Sequence, residues 1–562
     1  MNAILLLAAA ILVSPAGTND MTAAVLSAVE KVRAAGGGEI RLAPGAYHFR
    51  SPREMSFYIS NHDNDLPRRV FLPIANVSNL VISCDGRAEL VFHGDGLAVG
   101  LRDVANVTLR GLAVDWARPD YSEARLVRLD AGRPVLAFDP AQFPMKIGAD
   151  GRLVAVCEGY ERVAQLAQAF DANDRGYKGD RWFSCRAEDL GGGVYRLDED
   201  WSRRFERPLA PGDVFVVRNR ARPNPAVHLD RVRDALLEDC VVRAAPGGMG
   251  LIAQRSENVT VRGTGRAEDR RAGSFAREGS GRLMSLQADA THFSNCRGRI
   301  VVENCLFEGM VDDAINVHST CLQVEAMPSP REIRCRYKHS QSTGFDVFLP
   351  GERLRGIRGP TLEPAETTVL VTGVRRLAPD LVDLTLSAPL PEGLGVGDAV
   401  ENADWQPAVD FRNNVVRYCS PRATLFSTPG RVVCEGNLFD HISAAAVNLS
   451  ADALVWYESG ACADITFRRN VFRECLLVHG KGVVQITPNV KDLPAQRRRY
   501  LRNVTFEENV FEQTRGPLLC ARSVSNLVWR ANRVTGPGDG FDIRFCDDVT
   551  VQQDARVPSA SR

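Results

Sequence analysis

A weak internal repeat is the feature that most limits which folds this chain can adopt. An alternating strand, then Asn, then an apolar pair recurs, and two of its Asn spacings are equal: 437 − 414 = 23 and 532 − 509 = 23. Coils of about 20 to 25 residues with one recurring turn residue are typical of a parallel β-helix, in which the Asn side chains stack as a ladder at one corner. The phrase occurs around Asn304, Asn414, Asn437, Asn470 and Asn509.

A second short phrase of the β type also recurs: Asn or Asp, then Val or Ile, then Thr or Ser. Four of its six occurrences also match N-glycosylation sequons, but a repeat position explains all six. Upstream, the segment Ala34–Arg50 predicts a helix that ends on glycines and is followed by a first strand. Such a helix would cap the open end of the first coil. The second phrase begins at Asn76, Asn106, Asn258, Asp464, Asn503 and Asp548.

The repeat is interrupted twice, by residues 118–222 and 323–405. Both blocks lack the Asn phrase and show alternating strands with Pro-Gly turns, and each is long enough for a small antiparallel barrel. The sequence therefore predicts an all-β protein, a right-handed parallel β-helix with two inserted small β-barrel domains. The helix would comprise residues 17–117 with the capping helix, 223–322 and 406–562.

The amino terminus resembles a secretory signal peptide. Ile4–Val13 is an unbroken apolar run followed by Ser14–Gly17, which predicts a signal peptide over residues 1–16, although no Lys or Arg precedes the run. The run is too short for a membrane-spanning helix, which needs about 20 residues. A buried N-terminal helix is the alternative. We expect a secreted or periplasmic product without a membrane span.

Composition narrows the function classes. The 69 Lys+Arg residues balance 69 Asp+Glu residues, so no net positive field draws the chain to nucleic acid. The 14 cysteines form no Cys-x-x-Cys pair, and no His-Glu-x-x-His motif occurs, so nothing supports a zinc site. Cys240, Cys305 and Cys475 share one repeated context, which predicts that they are stacked inside the protein. One or two disulfides are the alternative for some of the cysteines. We expect neither metal nor cofactor.

The candidate chemistry lies in a group of three aspartates. Asp312 follows Asp289 by 23 residues, the coil length, which predicts equivalent positions on adjacent coils about 4.8 Å apart. Asp312 and Asp313 can face one groove only at a bend, and a β-helix corner provides one. Crowded carboxylates cannot all stay ionised, so one acid and one base result, the pair that glycosidic hydrolysis requires. A Ca²⁺ site and simple turn capping are the alternatives.

Several motifs together resemble glycoside hydrolase family 110, the α-1,3-galactosidases that include enzymes removing the blood group B galactose. The central match comprises Ala288–Gly298, Glu303–Cys305 and Asp312–His318, and the resemblance covers most of the chain. This family also has a β-helix interrupted by two β-barrels. The flanking matches are Tyr58–Asp63, Val114–Trp116 and Trp456–Gly460.

The resemblance implies an inverting, metal-independent removal of terminal α-1,3-linked galactose from galactose-terminated glycans. Asp289, Asp312 and Asp313 match the three catalytic carboxylates of the family, and we assign Asp289 as the general acid and the Asp312/Asp313 pair to the attacking water. One segment departs from the pattern. Where the family leads us to expect an Asn-Arg-Ala-Arg-like segment, the chain has Cys419–Thr424, in which Arg422 is the residue expected to reach the sugar.

Other polar residues are candidates for contacts with the substrate. Trp456 and Glu458 suit an aromatic platform for a pyranose beside an acceptor for its hydroxyls. The histidines that follow the aspartates equally suit a role in locking the turns. The predicted substrate-binding residues are His62, His292, Asn316, His318, Arg422, Trp456 and Glu458.

Three other functions compete with this interpretation. A polygalacturonase-like β-helix enzyme would need a cationic grip on the uronate carboxylate, and the sequence shows no Arg/Lys motif beside Asp312; a polyuronate lyase would need a basic catalytic residue and calcium. A non-catalytic glycan-binding protein would keep its binding when Asp312 or Asp313 is replaced, whereas a hydrolase would lose turnover. The inserted barrels also offer surfaces for a homodimer.

Overall fold

The computed structural model describes residues 10–183, 186–478, 480–512, 516–536, 538, 540–552 and 555–556. The first nine residues of the expected signal peptide lie outside this part of the chain. Within it, Ile11–Val13 forms a strand that pairs in parallel with Gly38–Leu42. The helix Thr22–Ala34 lies between them and buries Val25, Val29 and Val32 against the first coils.

The predicted fold class is confirmed: the chain winds as a right-handed parallel β-helix whose strands form three parallel faces. The first face contains Ile11–Val13, Gly38–Leu42, Ser78–Phe92, Ala105–Trp116, Arg233–Glu238, Glu257–Arg262, Arg297–Glu303, Ala408–Arg412, Val432–Glu435, Ala463–Arg468, Leu501–Glu507, Val524–Arg530 and Asp547–Val551. The second face contains Gly45–Phe49, the second halves of Ser78–Phe92 and Ala105–Trp116, Val241–Val242, Gly273–Ser274, Leu306–Glu308, Val415–Arg417, Leu438–Asp440, Val471–Arg473, Val510–Glu512, Arg533–Thr535 and Ala555–Arg556.

The third face carries the candidate site. Its strands alternate a side chain buried in the helix with one that points outward, as period-2 geometry requires. It contains Arg68–Ala75, Leu97–Arg102, Val227–Asp230, Leu251–Gln254, Thr291–Ser294, Ile315–Ser329, Thr424–Phe426, Val447–Leu449, Val484–Ile486, Leu519–Arg522 and Phe541–Arg544. Arg53–Met55 pairs antiparallel with Arg68–Ala75 at the edge of this face.

The interior of the β-helix is a stack of identical positions. Phe439 stacks on Phe472 with ring centroids 5.1 Å apart, and Phe472 on Phe511 at 4.7 Å. Parallel coils in register bring equivalent side chains this close, so one apolar position per coil builds a continuous core. This regularity explains why the repeat is visible in the sequence.

The predicted asparagine ladder forms at the corner between the first and second faces. Each Nδ2 donates to the Oδ1 of the next Asn at 2.9–3.1 Å, and each backbone N–H donates to the same oxygen. One expected member is wrong: Asn304 takes the preceding left-handed position (φ 56°), and Cys305 occupies the ladder position, its N–H donating to the next Asn. The ladder runs through Asn414, Asn437, Asn470, Asn509 and Asn532.

Removing one rung of this ladder is expected to destabilise the protein. Asn470 is fully buried and its Nδ2 donates both to the Cys434 carbonyl and to Asn509, so Asn470→Ala leaves several buried groups without partners. A loss of about 2–4 kcal/mol in the free energy of unfolding follows from about 1–3 kcal/mol for each unsatisfied group. Urea titration measures it. Asn526→Gly in the exposed outer ladder is the control, with a change below about 0.5 kcal/mol, because glycine tolerates the left-handed backbone of this position (φ 56°); equal losses in both variants would contradict the expectation.

Two antiparallel blocks interrupt the coils. The first contains a seven-stranded sheet, a three-stranded sheet and a hydrophobic core of its own. The bounds of its strands are Tyr121–Asp130, Arg133–Phe138, Met145–Ile147, Leu153–Val156, Glu161–Val163, Leu166–Phe170, Tyr177–Trp182, Ala187–Gly191, Val194–Leu197 and Val214–Arg218.

The second block is a closed barrel of six strands, since its pairings return to the strand from which they start. That strand, Ile315–Ser329, begins on the third face of the helix and continues into the barrel, so the expected boundary at residue 322 falls inside it. The barrel therefore begins directly at the strand that carries part of the candidate site. The other strands are Glu332–Arg336, Arg353–Ile357, Pro364–Ala378, Leu381–Leu386 and Ala399–Asn402.

The thirteen cysteines of the described part are unpaired, and most are buried. Cys240 and Cys305 direct their Sγ atoms at the carbonyl oxygens of Leu109 and Val261 in the preceding coil. The interior role predicted for these cysteines is therefore observed. No helix in the described part of the chain is both long and apolar enough to cross a bilayer.

Candidate active site

The candidate site lies where two neighbouring coils enter the third face. The strands Thr291–Ser294 and Ile315–Ser329 pair in parallel with Thr291 opposite Ile315, an offset of 24 residues. Asp289 therefore aligns with Asp313, and the expected alignment of Asp289 with Asp312 is wrong by one residue. The coil here has 24 residues, as does the coil from Val227 to Leu251, and not the 23 expected. Arg422 contacts both Asp312 and Asp313, so these two neighbouring side chains face the same groove.

Three carboxylates converge as predicted. One oxygen from each of Asp289, Asp312 and Asp313 lies within 4.8 Å of the other two. Arg422 grips Asp313 with two parallel hydrogen bonds, Nε to Oδ1 at 3.0 Å and Nη2 to Oδ2 at 2.9 Å, and its Nη2 lies 3.4 Å from Asp312. On the other side, Nη2 of Arg222 donates to Oδ2 of Asp312 at 2.9 Å. The guanidinium groups of Arg222 and Arg422 thus already neutralise negative charge that would otherwise attract a Ca²⁺ ion.

Burial changes the proton affinity of two of these groups. It raises the pKa of Asp289 well above its usual value, and the negative charges of Asp312 and Asp313 add to the effect. Burial also raises the pKa of Asp313 to about 7, even though Arg422 opposes the shift. The cluster therefore holds at least one proton near neutral pH while Asp312 faces the groove, which supplies both an acid and a base.

A chain of hydrogen bonds connects Asp289 with two buried histidines. Nδ1 of His292 lies 2.6 Å from Oδ2 of Asp289, and its Nε2 lies 2.8 Å from Nε2 of His318. Nδ1 of His318 lies 3.0 Å from the Ser319 carbonyl, which only accepts. With both imidazoles neutral, His318 donates to that carbonyl, His292 donates to His318, and the proton in the first hydrogen bond belongs to Asp289. Burial lowers the pKa of His292, in agreement with this arrangement.

Glu458 and the segment around His62 close the same region. The strand Glu458–Ser459 pairs antiparallel with Ile315–Ser329, and Oε1 of Glu458 lies 3.5 Å from Nε2 of His318. Asn61 donates from Nδ2 to that oxygen at 2.9 Å. His62 is buried, its pKa is lowered to about 3 by burial, and its Nε2 has no partner in the described part of the protein. These groups leave polar atoms that sugar hydroxyls could use.

Two cavities meet at Trp456. The larger, of about 460 Å³, is lined by Asp312 and Arg222, and the smaller, of about 240 Å³, by Arg422 and Glu458. One face of the Trp456 ring is covered by His339, with ring centroids 3.8 Å apart, so the indole has a fixed orientation. Asn316 lies on the outward side of its strand, and its buried Oδ1 has no partner among the described residues.

Sequence reasoning missed Arg222, Asn61 and His339. The statement that no basic motif lies beside Asp312 is wrong, because the end of the first insertion returns Arg222 to the site across 90 residues. A signal was present: Arg218, Arg220 and Arg222 alternate at the junction with the helix. Asn61 and His339 show no comparable pattern.

The raised pKa of Asp313 predicts how stability depends on pH. Between the unfolded value of 3.8 and the folded value of about 7, the folded chain keeps a proton that the unfolded chain has lost. The free energy of unfolding therefore falls as pH rises through this window, by at most about 1.4 kcal/mol per pH unit for this group. Asp313→Asn is expected to remove this contribution in urea titrations at pH 5 and pH 7.

The exposed Asp200 provides the control for that measurement. Its pKa is lowered, mainly by hydrogen bonds from Ser202, so Asp200→Asn leaves the slope between pH 5 and pH 7 unchanged. A slope in Asp313→Asn equal to that of the unmodified chain would contradict the assignment.

The groove of this parallel β-helix contains three aspartates that are partly protonated and hydrogen-bonded to arginines. An aromatic ring and groups that can bind hydroxyls lie beside them. These features together define a glycoside hydrolase of the β-helix class. Comparisons with known proteins agree. Residues 332–400, in the second barrel, match the family described as GLAA-B beta-barrel domain II.

Relatives match over nearly the whole chain. Alpha-1,3-galactosidase B of Akkermansia muciniphila is 40% identical over 97% of this chain and 68% of its own length. Alpha-1,3-galactosidase B of Parabacteroides distasonis is 34% identical over 88% of this chain and 82% of its own. The chain belongs to the family of these proteins. Among solved structures, the family 28 exopolygalacturonase of Yersinia enterocolitica aligns with 98% of this chain and 78% of its own, at 10% identity and a TM-score of 0.38.

Proposed function

We propose that this protein removes terminal α-1,3-linked galactose from oligosaccharides or glycoconjugates, as an exo-acting member of glycoside hydrolase family 110. The observation that carries the proposal is the triad Asp289, Asp312 and Asp313, two of them buried with raised pKa values and two held by arginines. The names of the relatives supply the sugar and the linkage.

We place galactose in the smaller cavity and the sugar to which it is attached in the larger one. A volume of 240 Å³ equals about eight water molecules at roughly 30 Å³ each and suits one pyranose ring. The walls of that cavity offer Arg422, Glu458 and Asn448, whose buried Oδ1 has no partner in the described part of the chain. Trp456 borders both cavities, so the scissile bond would lie near it and near Asp312.

In the proposed reaction one carboxyl group would protonate the leaving group, and two others would deprotonate the attacking water. Asp289, protonated in the hydrogen-bonded arrangement with His292, would give its proton to the glycosidic oxygen as the C1–O bond breaks. Asp312 and Asp313 would orient a water molecule and take its proton as the water oxygen bonds to C1. His292 and His318 would hold Asp289 in place and accept no net proton over the cycle. Arg422 would limit the rise of the Asp313 pKa so that this carboxyl ionises near neutral pH.

Inversion at C1 is part of the proposal and derives from the family resemblance. The closest oxygens of the triad lie within 4.8 Å, below the separation of about 6.5–9.5 Å usual for inverting carboxyl pairs, so the distance does not favour inversion. NMR of α-1,3-galactobiose with the purified protein is the direct test. Early release of β-galactose supports inversion, and early release of α-galactose means retention. If the unmodified protein releases no galactose, the proposed function is overturned.

The remaining organisation is proposed with it. We propose a signal peptide at residues 1–16 and secretion or export to the periplasm; cleavage there would remove the strand Ile11–Val13 and leave Gly38–Leu42 as the first strand of the mature β-helix. We also propose a homodimer through the barrels, which a monomeric mass by light scattering would overturn. The proposed divisions are 17–117, 223–322 and 406–562 for the β-helix, and 118–222 and 323–405 for the two insertions.

A further inference from the structure

A cluster of arginines lines the larger cavity beside the candidate active site. Arg218, Arg220 and Arg222 lie at alternate positions where the first insertion returns to the β-helix, and all three line the space of about 460 Å³ that Asp312 borders. Alternate residues of an extended segment project to the same side, so the three guanidinium groups reach one cavity. The intervening Asn219 points away and donates from Nδ2 to the Val163 carbonyl.

Two of these arginines lack a carboxylate partner. Arg222 is paired with Asp312, but no carboxylate in the described part of the chain lies within 4.0 Å of Arg218 or Arg220. Arg218 is half-buried and uses only its Nε, which donates to Oε1 of Gln168 at 3.2 Å. Arg220 lies over the ring of Trp182, 4.5 Å from its centroid. The terminal nitrogens of both guanidinium groups are therefore available to a ligand.

The negative groups of the cavity are already engaged elsewhere. Asp180 hydrogen-bonds with the hydroxyl of Tyr177, and Asp312 contacts two arginines. His339 carries little positive charge near neutral pH, because burial lowers its pKa. The cavity wall thus has three positive and two negative side chains, an excess of one positive charge.

The arginines also repel one another. Burial lowers the pKa of Arg218 to about 10; the positive charges of Arg222 and Arg220 act in the same direction, and the negative charges of Asp312 and Asp180 oppose it. An anion between these groups would relieve that repulsion and use the free N–H donors. Guanidinium groups bind sulfate and carboxylate oxygens in a two-pronged geometry that a neutral hydroxyl cannot match.

We propose that this cavity binds an anionic substituent, a sulfate ester or a uronate carboxylate, on the sugar to which the terminal galactose is attached. The inference rests on the proposed function, since it takes the larger cavity as the site of that sugar. It makes Arg218 and Arg220 residues that determine specificity, and Trp182, which is 45% exposed, the outer edge of the subsite.

The test compares three disaccharides at low ionic strength: α-1,3-galactobiose, its 6-sulfate on the reducing galactose, and galactosyl-α-1,3-galacturonic acid. We expect kcat/KM for at least one anionic substrate to exceed that for the neutral one by about 10-fold, since hydrogen bonds to charged groups contribute about 1.5–3 kcal/mol. In Arg218→Gln/Arg220→Gln this ratio of anionic to neutral kcat/KM is expected to fall about 10-fold.

Arg203→Gln is the matched control. Arg203 is an exposed arginine of the same insertion outside the cavity, so its removal lowers the net charge by one, as Arg220→Gln alone does, and is expected to leave the ratio unchanged. If the double variant does not fold, Arg220→Gln alone repeats the test at an exposed position. The anionic substrate with the higher kcat/KM identifies sulfate or carboxylate as the preferred group.

Two failures remain distinguishable. A ratio near one in the unmodified protein, or a ratio that Arg218→Gln/Arg220→Gln leaves unchanged, overturns the anionic subsite while the galactosidase activity persists. Absence of galactose from all three substrates overturns the proposed function itself.

Discussion

Asp289→Asn is expected to lower kcat/KM for α-1,3-galactobiose by about 10³-fold, within the range of about 10²–10⁴ that general acid catalysis contributes. The sugar leaving group needs a proton, and the amide cannot supply one. With p-nitrophenyl α-galactoside the loss is expected to be about 10-fold, because nitrophenolate leaves without protonation. Steady-state kinetics with both substrates measures the difference.

The hydrogen bond between Asp289 and His292 indicates that Asp289→Asn keeps its fold. His292 accepts a hydrogen bond from protonated Asp289 in the neutral arrangement, whereas an Asn side chain can donate its N–H to the same nitrogen and keep the geometry. The variant should therefore fold like the unmodified chain, and Asp200→Asn is the exposed control. Equal losses with the two substrates would contradict the assignment of Asp289 as the acid.

Asp312→Asn and Asp313→Asn are each expected to lower kcat by about 10³-fold with both substrates. These residues are assigned to the attacking water, which both leaving groups require. Binding of galactose is expected to persist, since the walls of the smaller cavity are unchanged, and calorimetry can measure it. A glycan-binding protein without activity would show the same binding and no turnover in any variant.

Added azide separates this role from a structural one. Azide is an anionic nucleophile that needs no deprotonation, so it is expected to restore part of the activity of the Asp312 and Asp313 variants and to give β-galactosyl azide under inversion. Formation of α-galactosyl azide would contradict inversion, and full activity of both variants without azide would remove the pair from the mechanism.

The sequence by itself determined the periodic part of this protein. The Asn ladder, the stacked Phe positions and the interior cysteines repeat once per coil, because every coil makes the same contacts with its neighbours. The spacing of these residues along the sequence therefore predicts their stacking in the β-helix. The three aspartates were found in the same way, since Asp289 and the Asp312/Asp313 pair lie one coil apart.

Only the tertiary structure decided what surrounds those aspartates. The register aligned Asp289 with Asp313, because coils of 23 and of 24 residues both occur, and one more residue in a coil shifts the partner by one position. Asn61 reaches Glu458 across 397 residues, and Arg222 reaches Asp312 across 90. These contacts depend on where insertions leave and rejoin the coils, and no period encodes that geometry. Burial then set the proton positions, because desolvation depends on the assembled groove and not on spacing along the chain.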